Sequence, residues 1–203
     1  MCIVPTGPRG RAARNTLLEL SGWICTGLSH ERLQHARYDL KQDVLVLQEL
    51  HGAHRQYEDT ITIVCEDPAV NESAAGVMMF LLPRTTDWKL DSGCVGSRIV
   101  WVRLQGLFQT LFVVGWYIPH KYRAKPDQMD TFKQIISLIE TKVRRGDVII
   151  GIGDVNSRLQ SSFKGYMGRY CAYPSAYSGG AMLHELMVDH KLLAASTYFK
   201  LPR

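Results

Sequence analysis

Apolar residues along this chain follow two periods. Short runs rich in β-branched residues recur at Asp43–Leu47, Thr60–Val64, Gly76–Leu82, Arg98–Leu104, Leu111–Tyr117 and Asp147–Ile152. Each is strand length, and most are bounded by Gly, Pro, Asp or Asn. Other segments carry the helical spacing of three and four. The clearest is 127–144, where Met129, Phe132, Ile136, Ile139 and Val143 form one stripe. Asp127 stands at its N-cap after Pro126, Arg144 and Arg145 fill the last turn, and Gly146 ends it. A second helix is predicted after Ser29, with Leu33, Ala36 and Leu40 inward. A third covers roughly 181–190, with Leu183, Leu186 and Met187 inward.

Strands outnumber helices, and several neighbouring runs follow one another with no helix between. That excludes a simple doubly wound sheet and favours a mixed α/β (α+β) chain with helices covering stacked sheets. With 203 residues, 46% of them hydrophobic, one compact domain or a large part of one is expected. No apolar stretch approaches the roughly 20 residues of a membrane span. The N-terminal MCIVPTGPRGRAARN lacks the apolar middle of a secretory signal. Its three arginines fit either a transit peptide or a ragged, disordered start. The latter reading leaves 1–15 outside the domain and 16–203 within it.

The five cysteines, at 2, 25, 65, 94 and 171, include no CxxC pair. Such a set argues against a disulfide framework and a zinc module, and for a reducing intracellular compartment, nucleus or cytoplasm. The formal charge of +5 permits a polyanionic partner without requiring one.

Chemistry concentrates where strands end. Val148-Ile149-Ile150-Gly151-Ile152 reads as a strand covered on both faces, and it runs through Gly153 into Asp154 and Asn156. Side chains two apart on an extended segment point the same way, so a carboxylate and an amide address one group. Gly153 permits close backbone approach. A plain turn is the other reading of Gly, Asp and Asn together. The run ending at Leu47 delivers Gln48 and Glu49, and a carboxylate there suits a hard cation such as Mg²⁺. The run ending at Tyr117 enters a basic, aromatic loop in which His120, Lys121, Arg123 and Lys125 are placed to meet phosphates.

In this order and spacing, LVLQELH, GWYIPHKYR, GDVIIGIGDVNSRL and LHELMVDHKLLAASTYF resemble the endonuclease/exonuclease/phosphatase superfamily. More narrowly they resemble the apurinic-endonuclease-like domain of non-LTR retrotransposons, of the RTE or craniofacial-development-protein-2-like type. The likeness covers about residues 40–200. It implies a DNase I-like, four-layer α-β-β-α sandwich with two stacked mixed sheets, here C-terminally truncated. It also implies Mg²⁺ (or Mn²⁺) bound by Glu49, a water oriented and deprotonated by Asp154, Asn156 holding Asp154 or a phosphate oxygen, and Tyr117 donating to developing charge. The implied partner is the DNA phosphodiester backbone.

Two features depart from that family. Ile24, in Ser21-Gly22-Trp23-Ile24-Cys25, stands where the family carries an Asn on its first strand. The chain also stops at Arg203, before the family's Ser-Asp-His-like segment. Expected activity is therefore that of a DNA-nicking endonuclease compromised by these losses. The rival readings are a lipid or inositol phosphodiesterase of the same fold, and a non-catalytic remnant that holds nucleic acid weakly through Lys121, Arg123, Lys125, Arg144 and Arg145. His51, His54, His184 and His190 complete no metal motif.

Overall fold

The computed structural model describes residues 18–24, 42–50, 61–65, 76–106, 108–120, 125–160, 165–170 and 178–200. The chain divides into two compact units, residues 1–117 with 141–154, and residues 118–140 with 155–203.

The first unit holds the strands β1 (Leu20–Ile24), β2 (Val44–Leu50), β3 (Ile61–Cys65), β4 (Gly76–Leu81), β5 (Lys89–Val95), β6 (Ile99–Gln105), β7 (Thr110–Tyr117) and β8 (Val148–Asp154). A one-turn helix, α1 (Pro83–Thr86), separates β4 from β5. One sheet has the order β1-β2-β4-β3 and the other β5-β6-β7-β8. Both are mixed: β1 runs parallel to β2 and β8 parallel to β7, and the remaining pairs are antiparallel.

Alternation along each strand builds the layer between the sheets. Val44 and Val46 of β2 and Val77, Met79 and Leu81 of β4 meet Val100, Val102 and Leu104 of β6 and Leu111, Val113 and Tyr117 of β7. Burial of each such apolar side chain contributes about 1.5–3 kcal/mol. Glycine sets the closest approaches. A Cβ on Gly115 would lie 2.6 Å from Val46 Cγ1, and one on Gly22 would lie 2.5 Å from Ile152 Cγ2.

Burial along β8 differs from the sequence expectation. Its apolar run reads as covered on both faces, yet β8 is half-buried, with Gly151 and Gly153 exposed. The reason is position, because among the described residues β8 is the end strand of its sheet. The fully covered strand is its neighbour β7.

Two ion pairs fasten strand starts. The carboxylate of Asp147, just before β8, accepts from Arg103 of β6 at 3.0 Å and from the Arg144 backbone N–H at 2.8 Å. Asp43, at the start of β2, accepts from Arg84 of α1 and from the Glu19 backbone N–H. Asp43, chiefly through hydrogen bonding and secondly through charge, holds the Arg84 guanidinium above its ordinary pKa. Cys94 of β5 is disulfide-bonded, although the cysteine pattern argues against a disulfide framework.

In the second unit, α2 (Lys125–Lys142, its last two residues belonging to the first unit) is followed by α3 (Ser178–Asp189) and a 3-10 turn (Ala195–Tyr198). Phe132 and Ile139 of the expected α2 stripe are buried, but Met129 is exposed and Val143 lies past the helix end. The buried face takes in Gln128, Thr131, Ile135 and Leu138 beside Phe132 and Ile139. Apolar spacing misses part of it because two of its members are polar and satisfied locally. Gln128 donates to the Pro119 carbonyl, and Thr131 to the Asp127 carbonyl. Asp127 lies in the first turn rather than at the cap, and Arg144 and Arg145 follow the helix. Leu183, Leu186 and Met187 of α3 are buried as expected.

The helix predicted after Ser29 and the ragged start at 1–15 fall outside the described residues. Among the described residues, no helix is long and apolar enough to cross a membrane.

Candidate active site

Parity along β2 puts Gln48 on the inter-sheet face with Val44 and Val46, which should turn Glu49 away from it. The backbone breaks the pattern. Gln48 pairs with Val77 and Leu50 with Gly76, so Glu49 is an extra residue in a β-bulge, with φ of +58°. This left-handed conformation, uncommon for a residue with a side chain, allows its carboxylate to be reached from the other sheet. The Tyr117 hydroxyl donates to Glu49 Oε1 at 2.9 Å.

Tyr117 ends β7 on the inter-sheet face and is only 9% exposed. Its backbone N–H donates to the Arg98 carbonyl at 3.0 Å. In the parallel ladder it pairs with Asp154, the last residue of β8. Val148, Ile150 and Ile152 pack on the inter-sheet core, so parity gives Asp154 the same face. Glu49, Tyr117 and Asp154, three of the residues singled out by sequence, thus meet at one end of the stacked sheets.

Asn156 behaves differently from its expected geometry. It belongs to the second unit and has φ of +41°, so the chain beyond Asp154 is turned rather than extended. Its Nδ2 donates to the Ile118 carbonyl at 3.0 Å. The turn-like composition of Gly153-Asp154-Val155-Asn156 is therefore expressed at Asn156, and the parity argument linking it to Asp154 does not hold. At Gly153 the close approach comes from Trp116, whose Nε1 lies 2.7 Å from where a Cβ would be.

His120 is exposed. Lys121 and Arg123 lie outside the described residues, and Lys125 opens α2 with its side chain outside them. Ile24 ends β1 in register with Gln48, immediately before Glu49, and its side chain is likewise not described.

Residue type alone gives Gln48 and Arg98 no role, yet both lie at the same end. Gln48 follows Val46 on the inter-sheet face of β2, and the carbonyl of Arg98, in the turn before β6, accepts from the Tyr117 N–H. Among the described residues no three His, Cys, Asp or Glu side chains cluster as a ready-made metal centre. The Glu49 carboxylate is nevertheless a hard oxygen donor of the kind that suits Mg²⁺, because that ion takes only one or two carboxylates and keeps its waters.

No family model matches this chain, and no curated protein does. Solved structures do match. The endonuclease domain of TRAS1, a telomere-specific non-LTR retrotransposon, superposes with a TM-score of 0.56 at 14% identity, over 84% of this chain and 69% of that one. D. rerio TDP2 complexed with a single-strand DNA product gives 0.53 at 16% identity, over 68% and 60%. The human Nocturnin catalytic domain with bound sulfate gives 0.50 at 10% identity, over 70% and 65%. The chain thus spans about three fifths of the length of the D. rerio TDP2 structure. The fold is DNase I-like, of the endonuclease/exonuclease/phosphatase type.

Proposed function

We propose that this chain carries the phosphodiester-hydrolysing site of a DNA-nicking endonuclease domain of retrotransposon type. The observation that carries this reading is the meeting of Glu49, Tyr117 and Asp154 from three strands at one sandwich end. The motif order in the sequence and the likeness to the TRAS1 endonuclease fold support it.

In this reading Glu49 would hold Mg²⁺, which when bound offsets charge on the phosphodiester. Asp154 accepts a proton from the attacking water as its oxygen bonds to phosphorus. The bond from phosphorus to the departing sugar oxygen breaks, and that oxygen is protonated from solvent. Tyr117 fixes the Glu49 carboxylate through its hydroxyl. Asn156 stabilises the turn after Asp154 through the Ile118 carbonyl. His120, Lys121, Arg123 and Lys125 meet the DNA backbone as positive charge, which gives affinity without sequence preference. Such a site works by positioning and electrostatics, the terms on which phosphoryl transfer mainly depends.

The test is incubation of purified protein with supercoiled plasmid and Mg²⁺, beside Glu49→Ala and Asp154→Ala. Nicking by the parent that both substitutions abolish is the expected result. DNA retention that weakens with salt, with no nicking by the parent, sinks the enzyme reading in favour of a non-catalytic nucleic-acid-binding remnant.

A further inference from the structure

We propose that Gln48 is a positioning residue of this site, its amide holding a buried water between itself and Asp154. The inference rests on the reading above and extends it to a residue to which neither type nor motif assigns a task.

Gln48 is 2% exposed, and its Nε2 is buried with no hydrogen-bond partner among the described residues. An orphaned buried donor costs about 1–3 kcal/mol, so a Met or Leu in line with Val44 and Val46 would be the more stable choice. The amide also points somewhere specific. A Cβ on Gly22 of β1 would stand 3.4 Å from Gln48 Nε2 and 2.5 Å from Ile152 Cγ2. Gln48 therefore reaches from β2 to the place where β1 meets β8. Ile152 and Asp154 share one face of β8, so the carboxylate is the next side chain outward from that place.

Gln48 Nε2 and the half-buried Asp154 carboxylate would give an internal water between them its two polar partners. Such a water donates to Asp154 and accepts from Gln48 Nε2. It thereby fixes the carboxylate rotamer.

Two measurements test this. A high-resolution crystal structure of the parent should show a water within hydrogen-bond distance of both Gln48 Nε2 and an Asp154 oxygen. An Nε2 bonded to a protein acceptor, or a dry gap, overturns the proposal. Gln48→Met should melt at or above the parent temperature, yet nick plasmid about tenfold more slowly with KM unchanged, the usual scale for loss of a positioning partner. Gln48→Met nicking at the parent rate overturns it. A parent that does not nick ends the functional reading alone, and the water still decides the role of Gln48.

Discussion

Tyr117 and Glu49 belong to different sheets, and the 2.9 Å hydrogen bond between them ties the two sheets together at the end where β7 and β2 finish. A hydrogen bond to a charged acceptor contributes about 1.5–3 kcal/mol. Tyr117→Phe keeps the ring in the core and removes only the donor. Its thermal midpoint should fall by several degrees, while plasmid nicking should drop at least about tenfold. Equal rates for Phe and Tyr would show that Glu49 is held without the hydroxyl.

The φ of +58° at Glu49 makes a separate prediction about stability. A non-glycine residue held there costs about 1–3 kcal/mol, strain of the sort found at functional positions. Glu49→Gly should relieve it and so offset much of the loss of the bond to Tyr117, leaving urea stability only modestly lowered. Glu49→Val, β-branched and ill suited to positive φ, should be the less stable variant by about 1–2 kcal/mol. Neither should nick DNA. The reverse stability order would show that the bulge relaxes freely.

A third prediction concerns the end of the sandwich away from the site. Arg103 and Asp147 have side chains 2% and 4% exposed and pair at 3.0 Å. The guanidinium also donates to the Lys142 carbonyl and lies 5.3 Å from the centre of the Phe112 ring, which itself stacks on Trp101. Removing one partner strands the other charge in the interior, at a cost of about 3–5 kcal/mol. Arg103→Met and Asp147→Leu should each lower the denaturant midpoint strongly, and the double variant should recover most of the loss. Additive losses in the double variant would mean the pair is not coupled.

The sequence showed the buried strands well and the edges unevenly, since the runs at Thr60–Val64 and Asp147–Ile152 became β3 and β8 whereas β5 was not expected. Runs such as Val44–Leu47 and Leu111–Tyr117 announce themselves because both faces are covered. Lys89–Val95 does not, because β5 is an end strand whose Leu, Ser, Gly and Cys need satisfy only partial burial. The same blindness made β8 look fully covered. Within the site, strand ends placed Glu49, Tyr117 and Asp154, since an apolar run that stops at a polar residue marks where a strand leaves the core. The bulge that turns Glu49 inward left no such mark, because Gln-Glu at a strand end has no composition that demands positive φ. Asn156 was legible as a turn residue, and its extended geometry was not legible because it does not exist.

The last prediction tests how Trp116 is seated. Its indole lies across the glycine face of β8, and a Cβ on Gly151 would overlap the ring at Cη2. Its Nε1 is buried with no hydrogen-bond partner among the described residues. Gly151→Ala therefore forces the ring aside, an overpacking cost of about 1–3 kcal/mol. Trp116→Phe should cost less than an ordinary large-to-small change, because it discards an orphaned donor as well as volume. In the Trp116→Phe background the alanine should fit with much smaller loss, giving a coupling of about 0.5–3 kcal/mol in a double-mutant cycle followed by chemical denaturation. A coupling near zero would mean that the ring does not rest on Gly151, and that the absence of a side chain there serves some other end.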